Sequence, residues 1–180
     1  MMLDLAELPY CQACGLAETR HRVVVGSGPA APGLVVVGEA PGRHEDEGGE
    51  PFVGRSGQLL VRLLREELGL SRAQYFVTNV VKCRPPQNRT PRVSEVASCR
   101  PWLESQMARL HPRAILAVGN VAARAVFDLN EGISRSHGRI SYYGDVPGVA
   151  TYHPAAALRG GPSVVGVMRA DLAVLARLVA

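Results

Sequence analysis

The fold of this chain is decided at residues 34–42, which read LVVVGEAPG. The first five residues form an uninterrupted apolar run, as expected of a strand that is buried on both faces of a parallel sheet. Glu39 follows directly, and Pro41 then fixes a turn whose glycines let a flat ligand approach the backbone closely. The segment has neither the Gly-x-Gly-x-x-Gly spacing of a dinucleotide site nor the pattern of a P-loop. It predicts a buried strand that ends at a ligand-binding turn of another kind.

Three further runs of the same apolar character lie at residues 75–81, 114–119 and 148–153. Helical patterns separate or follow these runs at residues 56–68, 93–110, 120–128 and 164–179, and Leu60, Leu64 and Leu68 form one stripe of the first helix. Alternating strands and helices predict an α/β fold, a three-layer sandwich with a central, mainly parallel four-stranded sheet. The chain has 180 residues, 47% of them hydrophobic, and shows no repeat or linker. We therefore expect residues 1–180 to form a single domain.

Polar residues stand where three of the predicted strands end. Glu39 follows the first strand, Asn79 lies near the end of the second, and His153 closes the fourth. Because ligands bind outside the carboxyl ends of parallel strands, these residues should converge at one edge of the sheet. Each residue alone is more often a helix cap or a satisfied structural group. Three of them at one edge favour a functional site.

The residues around this edge suit a flat, polar ligand. Phe52 lies in a loop between glycine-rich segments, a poor position for a core residue, which favours stacking on a planar ring such as a base. Asn79 offers a donor and an acceptor in one plane, matching the Watson–Crick edge of a pyrimidine. His153 could donate a hydrogen bond to an oxygen that gains negative charge as a bond breaks. The other histidines lack such a setting, and we interpret them as surface or structural residues.

Four cysteines form a spaced set: Cys11 and Cys14 as a close pair, then Cys83 and Cys99 with fifteen residues between them. A zinc ribbon would repeat the Cys-x-x-Cys unit, so the spacing favours an inorganic cluster over that kind of zinc site. No apolar run reaches membrane length, and the first twenty residues do not resemble a signal peptide. We expect a cytoplasmic protein without a membrane association. That location argues against disulfides.

The basic residues are almost all arginine. Lys82 is the only lysine among twenty basic residues, and the formal net charge is +4. Arginine suits bidentate phosphate contacts, although a bias in genome composition explains the count equally well. Between Cys83 and Cys99, a proline-stiffened loop carries Arg84, Arg89 and Arg92. The loop is interpreted either as a surface for backbone phosphates or as a solvated connection.

Taken together, these motifs resemble the family 4 uracil-DNA glycosylases, the iron–sulfur branch of the uracil-DNA glycosylase superfamily. The matching segments are GEAPG at residues 38–42, GEPFVG at 49–54, NVVKCRPP at 79–86 and HPAA at 153–156. The resemblance extends from Cys11 to about Arg159 and places all four cysteines where the family has its cluster ligands. It implies a 4Fe–4S cluster held by Cys11, Cys14, Cys83 and Cys99.

The resemblance also implies a DNA repair enzyme that flips uracil out of DNA and hydrolyses its N-glycosidic bond. Phe52 would stack on the extruded uracil, Asn79 would read its polar edge, and His153 would stabilise charge on uracil O2. Glu39 would help to position base or water. Glu45 is similar to the family's acidic residue near C5 of the base, where it could obstruct the methyl group of thymine. Ala40 and Pro41 belong to the first motif and would line the base site.

On the DNA side, residues 155–159 resemble the loop of the family that enters the duplex. Leu158 would be the wedge and Arg159 a phosphate contact, together with Arg84 and Arg89. Ala40 stands where other branches carry an aspartate that orients the attacking water, so the reaction would rely mainly on stabilising the leaving uracil anion. No histidine lies between Cys83 and Cys99 to trap DNA covalently, and no lysine occupies a candidate nucleophile position. A monofunctional glycosylase that turns over, acting as a monomer on uracil-containing DNA, is the prediction.

Three alternatives stay open at this point. One is a glycosylase of broader specificity that also removes deaminated purines. Another is a non-catalytic iron–sulfur module that binds uracil-containing DNA without cutting it. A zinc-holding structural domain is the third, and a brown, iron-containing protein would exclude it.

Overall fold

A computed structural model of the chain describes residues 3–179, which fold around a five-stranded sheet. The strands are β1 (Leu34–Gly38), β2 (Phe76–Asn79), β3 (Ala114–Val118), β4 (Ile140–Tyr143) and β5 (Val146–Thr151), in the order β2-β1-β3-β5-β4. The pairs β1–β2, β1–β3 and β3–β5 are parallel, and β4 runs antiparallel to β5. The predicted α/β fold with a mainly parallel sheet is confirmed, whereas the predicted number of four strands is wrong by one. The missed strand is β4, whose residues alternate between exposed and half-buried at the sheet edge and so lack a continuous apolar run.

Seven α-helices connect or follow these strands in the described part of the chain. They are α1 (Arg43–Gly48), α2 (Arg55–Leu68), α3 (Val93–Leu110), α4 (Asn120–Phe127), α5 (Ile133–Ser136), α6 (Pro154–Gly160) and α7 (Pro162–Val179). The four predicted helices correspond to α2, α3, α4 and α7, and their bounds agree within two residues. The sequence did not indicate α1, α5 and α6, because helices of six, four and seven residues are too short to show a periodic apolar face.

The helices cover both faces of the sheet, which gives the predicted three layers. On one face, Leu34 and Val36 of β1 pack in a buried cluster with residues of α2, α6 and α7. On the other face, Val35 and Val37 pack with residues of α3, α4 and α5. Alternate residues of one strand thus enter two different cores, which explains why the strand is apolar throughout.

The N-terminal segment packs beside α3 in a third, smaller cluster. Leu8 is buried there with Val81, Cys99 and Trp102. Further along, the Val24 amide donates to the Lys82 carbonyl at 2.8 Å. This packing brings the N-terminal cysteines next to the segment that follows β2. Within residues 3–179, no helix is both long enough and apolar enough to cross a membrane.

Candidate active site

A pocket of about 490 Å³ opens at the carboxyl ends of the parallel strands. Glu39, Asn79 and His153 all line it, so the structure brings together the three polar residues that the strand ends predicted to converge. The remaining lining residues are Ala40, Pro41, Gly42, Glu45, Phe52, Ser56, Pro85, Asn88, Arg89, Thr90, Ala155 and Arg159. The volume lies in the range typical of small-ligand sites, roughly 300–1,000 Å³.

Gly38 lets Asn79 and Phe52 meet at the end of β1. A methyl group on Gly38 would lie 2.4 Å from Asn79 Oδ1 and 2.6 Å from Phe52 Cζ, distances that real side chains essentially never show. Asn79 is the last residue of β2 and is only 2% exposed. Its position is fixed by the sheet, since Gly38 and Asn79 are paired in the parallel register. The side-chain amide and the aromatic ring therefore share one wall of the pocket.

Phe52 has an unusual backbone that its neighbours hold in place. Its φ is +60°, in the left-handed region that non-glycine residues rarely adopt. Gly57 of α2 packs directly beneath it, and a methyl group there would lie 2.1 Å from the Phe52 carbonyl oxygen. The ring is half-buried against the core cluster of α2 while it also lines the pocket. Phe52 therefore packs against the core and lines the pocket at the same time. The two interpretations of this residue, core packing and ligand contact, do not exclude each other.

Glu45 anchors the same loop from the other side. Although it is charged, it is only 8% exposed, and its Oε1 accepts a hydrogen bond from the Gly54 amide at 2.9 Å. The carboxylate lies in the first turn of α1, where a negative charge is favoured by the helix dipole. It is also close to Gly42, where a methyl group would lie 2.7 Å from Oε2. Glu45 thereby ties the turn after β1 to the loop that carries Phe52.

The tautomer of His153 is set by its own helix. His153 precedes α6 as its N-cap, and its Nδ1 accepts a hydrogen bond from the Ala155 amide at 3.2 Å. An accepting Nδ1 leaves the proton of a neutral imidazole on Nε2. Burial lowers the pKa of His153 below its ordinary 6.5, the positive charge of Arg159 lowers it further, and Glu45 opposes the shift. The ring is therefore a neutral donor at neutral pH.

Glu39 lies half-buried at the pocket wall, one residue beyond β1. Burial raises its pKa above the ordinary 4.5, because a carboxylate loses solvation there. Such a shift moves the pKa of a carboxyl group toward neutral pH. The group is then better suited to exchange a proton with water or substrate. Ala40 and Pro41 follow it in the lining, and Pro41 is buried.

The basic and apolar side chains around the pocket entrance differ in their exposure and in their hydrogen-bond partners. Arg159 is exposed and lines the pocket, and Leu158 beside it is 47% exposed. Arg84 is half-buried, and its Nε donates to Asn88 Oδ1 at 2.7 Å. Arg89 also lines the pocket, but its two terminal nitrogens donate to the buried carboxylate of Glu95 at 2.8 and 2.6 Å. The guanidinium of Arg89 is thus already paired within the protein. Arg84 and Arg159 are the cations that are more available for contacts with a ligand.

Lys82 is a component of the site that the sequence reasoning missed. Its side chain is fully buried, and Nζ donates to the Asn79 carbonyl, Thr78 Oγ1 and Gln106 Oε1, each at 2.6 Å. Burial lowers its pKa to about 8, while Cys99 and Cys83 act in the opposite direction. A signal was present in the sequence, because the only lysine of the chain directly follows an apolar run and precedes a cysteine.

The four cysteines line one small cavity at the other end of this network. Cys11 and Cys14 are half-buried, whereas Cys83 and Cys99 are buried. Two donors point at the sulfurs: Arg20 Nη1 lies 3.4 Å from Cys83 Sγ, and Trp102 Nε1 lies 3.2 Å from Cys11 Sγ. Within residues 3–179, no three Cys, His, Asp or Glu side chains lie close enough together to hold a single metal ion. The cavity thus presents four thiols in a space between the N-terminal segment and α3, with N–H donors beside the sulfurs.

An aromatic ring, a side-chain amide and a neutral imidazole around one pocket are typical of α/β proteins that bind a single flat, polar ring such as a base. Comparison with known proteins supports and sharpens this class. Residues 25–171 match the uracil DNA glycosylase superfamily. The chain belongs to this superfamily, as the motifs had indicated.

Individual relatives place the chain near one branch. It is 45% identical over 171 residues to the "Type-4 uracil-DNA glycosylase" of Pyrobaculum aerophilum, covering 91% of this chain and 86% of that protein. The "Type-4 uracil-DNA glycosylase" of Thermotoga maritima is 43% identical, over 83% of this chain and 78% of that protein. A "Type-5 uracil-DNA glycosylase" of Mycobacterium leprae is 36% identical, over 83% and 82% of the two chains. These similarities confirm the resemblance to family 4.

Proposed function

We propose that this chain is a monofunctional uracil-DNA glycosylase, which flips uracil out of DNA and hydrolyses its N-glycosidic bond. The observation that carries this proposal is the convergence of Glu39, Asn79 and His153 with Phe52 at one pocket, in a chain of the matching superfamily. The target bond is buried in the base stack of DNA, so a pocket of this size must receive an extruded base. The product is free uracil and an abasic site in an otherwise intact strand.

The pocket residues divide the recognition of uracil among them. Phe52 stacks on the face of the extruded base, and Asn79 hydrogen-bonds its polar edge. Glu45 stands near C5 and obstructs the methyl group of thymine. Ala40 and Pro41 form the pocket wall that packs against the flat ring. The hydrogen bond from the Gly54 amide to Glu45 supports this arrangement, because it holds the acidic side chain in one orientation.

Catalysis rests on the charge that develops as the bond breaks. The electron pair of the glycosidic bond moves into the uracil ring, where it places negative charge on O2. His153 donates its Nε2 proton as a hydrogen bond to that oxygen and so stabilises the leaving anion. Water adds to the sugar carbon, and Glu39 orients this water and accepts its proton. The raised pKa of Glu39 supports this role, since burial makes its carboxylate a stronger base than that of an exposed glutamate.

Contacts to DNA lie outside the pocket. Arg84 and Arg159 bind backbone phosphates, and Leu158 enters the duplex to fill the space left by the extruded base. Arg89 shapes the loop through its ion pair with Glu95 and contributes to the phosphate surface only with its remaining N–H groups. The exposure of Leu158 supports the wedge, because a buried leucine could not reach DNA.

The four cysteines hold a 4Fe–4S cluster. Their chemistry fits: four thiolates without another ligand type are the usual ligands of such a cluster, and N–H donors to the sulfurs tune and stabilise it. The group supplies structural cross-linking, by joining the N-terminal segment to the start of the 84–92 loop and to α3.

Release of uracil from a labelled oligonucleotide with one U, followed by alkali, tests the function. We expect alkali-dependent breakage at U and none in a matched T control. His153→Gln and Asn79→Ala should each lower the rate on the order of 10²-fold without loss of DNA binding. Uracil-dependent binding without release by cluster-loaded protein would contradict the proposal. The single domain, the monomeric state and the cytoplasmic location stay predictions.

A further inference from the structure

Lys82 is built into the fold as a charged residue. Its three acceptors, the Asn79 carbonyl, Thr78 Oγ1 and Gln106 Oε1, use all three N–H groups of an ammonium. A neutral amine could not donate to all of them. The acceptors are themselves fixed, since Thr78 Oγ1 donates to Gln106 and the Gln106 amide donates to the Val25 carbonyl at 2.6 Å. These fixed acceptors hold the ammonium group of Lys82 in a single position.

The same residue also contacts the cysteine cavity. Its backbone N–H donates a hydrogen bond to the Cys99 sulfur. Lys82 directly precedes Cys83 and lines the cavity together with all four cysteines. One residue therefore reaches the cysteines with its main chain and Asn79 with its side chain.

A buried ammonium needs a compensating negative charge. Among the described residues 3–179, the acceptors of the ammonium are all neutral groups, and the cysteines that line the same cavity are the groups beside it that can carry negative charge. A 4Fe–4S cluster with four thiolates carries a net charge of about −2, from −4 on the sulfurs and about +2 on the core. Lys82 and Arg20, whose guanidinium donates to Cys83 Sγ, would together balance it.

We propose that Lys82 is a positioning residue that joins the cysteine centre to the base-reading amide. The cysteine centre holds its charge in the interior, and the ammonium in turn fixes the main-chain carbonyl of Asn79. The side-chain amide of Asn79 then projects from a backbone that is held by Gly38 on one side and by Lys82 on the other. The inference rests on the proposed function, since Asn79 reads uracil only if the chain binds that base.

The variant Lys82→Met tests the link, because it keeps the length of the side chain while removing its charge and its donors. We expect kcat for uracil release to fall about tenfold or more, with KM for DNA unchanged, since the phosphate contacts are elsewhere. Free uracil, measured by calorimetry, should bind about tenfold more weakly. The reduction potential of the cluster should become more negative, because loss of a nearby positive charge disfavours the added electron.

Two further variants separate the effects. Arg169→Met removes a cation that bridges α7 and α2 away from both centres, and should change neither uracil binding nor the potential. Thr78→Val removes one acceptor but keeps the charge, so it should weaken uracil binding by a few fold and leave the potential near that of the unaltered protein. It also provides a milder change if Lys82→Met fails to fold.

Three outcomes would overturn the proposal. One is Lys82→Met with unaltered uracil affinity and rate. Another is an unchanged reduction potential. The third is loss of iron together with activity in Lys82→Met while Thr78→Val behaves like the unaltered protein, which would make Lys82 a residue needed only for cluster assembly. If the unaltered protein releases no uracil, the proposed function fails, whereas uracil affinity and potential still decide the role of Lys82.

Discussion

Gly38 is the residue where the end of β1 meets the two side chains that form the pocket wall. Its lack of a side chain leaves the space that Asn79 Oδ1 and the Phe52 ring occupy. Glycine is required here because the neighbouring side chains lie so close to its Cα. The backbone conformation does not require glycine, because Gly38 lies in a regular strand. Any larger residue must displace the amide, the ring or both.

Gly38→Ala should therefore lower uracil release strongly. A displacement of about 1 Å at a catalytic constellation can cost on the order of 10²-fold in rate, and we expect a loss of this size. Single-turnover kinetics on a U-containing duplex measure it. Gly33→Ala is the matched control, because a methyl group there meets nothing within 4 Å. Equal rates for the two variants would refute the proposed contact.

At Glu39, the proposed function conflicts with the stability of the fold. Its pKa is raised by burial, so the folded protein holds the proton more firmly than the unfolded chain does. The resulting penalty on folding is absent below the ordinary pKa of 4.5, grows as the pH rises through the raised pKa, and is complete above it. Such groups persist where function needs them.

Glu39→Gln should raise the unfolding midpoint at pH 8 and lower the rate of uracil release on the order of 10-fold or more. The gain in midpoint should disappear as the pH approaches 4.5, where the unfolded carboxyl is itself half protonated. Thermal unfolding followed at several pH values measures this dependence. Glu18→Gln, at an exposed position, is the control. A gain that did not depend on pH would argue against a buried carboxylate as its cause.

At the scale of elements, α6 combines two tasks within seven residues. His153 caps its start, which fixes the imidazole tautomer, and Pro154 occupies the first helical position, where the missing N–H is no loss. Ala157 is buried in the core cluster of α2 and α7, whereas Leu158 next to it is exposed. The helix thus holds the imidazole that lines the pocket at its start and presents an apolar side chain about one turn further on.

Leu158→Ala should slow uracil release from duplex DNA roughly tenfold, since the lost apolar contact is worth about 1–2 kcal/mol. Release from single-stranded DNA should change little, because no stacked duplex must be opened. The ratio of kcat/KM on the two substrates is the measurement. Ile140→Ala, which shortens a side chain of similar exposure on β4, should leave the ratio unchanged. An equal loss on both substrates would remove the case for a wedge.

At the scale of the whole molecule, the cysteine cavity joins parts of the chain that the sheet does not connect. It collects the N-terminal segment, the residues after β2 and the helix α3 around four thiols. The hydrophobic contacts here form a separate cluster with Leu8, Val81 and Trp102, apart from the two cores that flank the sheet. The proposed cluster would cross-link these parts and so compensate for the small size of this third core.

Cys83→Ala should remove iron from the protein and lower the melting temperature by about 10 °C, as expected for a loss of a few kcal/mol in a chain of this size. It should also weaken DNA binding, because the loop from residue 84 to 92 begins at the altered position. Iron analysis, thermal unfolding and titration with DNA measure the three effects. A variant that retained its stability and DNA affinity would show that the cysteine centre does not organise this loop.

Much of this protein follows from the sequence alone. Four buried strands and the four long helices were predictable, because burial on both faces or on one face leaves a periodic apolar pattern in neighbouring residues. The meeting of Glu39, Asn79 and His153 was predictable as well, since parallel strands end at the same edge of a sheet. Order and spacing of the motifs indicated the family, which the comparisons confirmed.

Only the tertiary structure decided how these parts are held. The edge strand β4 is short and half-exposed, so its pattern was too weak to identify. The pairing of Arg89 with Glu95 was also not predictable, while the phosphate contact of Arg89 stays a prediction. The buried ammonium of Lys82 is held in part by Gln106, a residue 24 positions away on α3. Local sequence patterns indicate whether a residue is buried. What a buried charge does depends on its interaction partners, and only the fold brings those partners close to it.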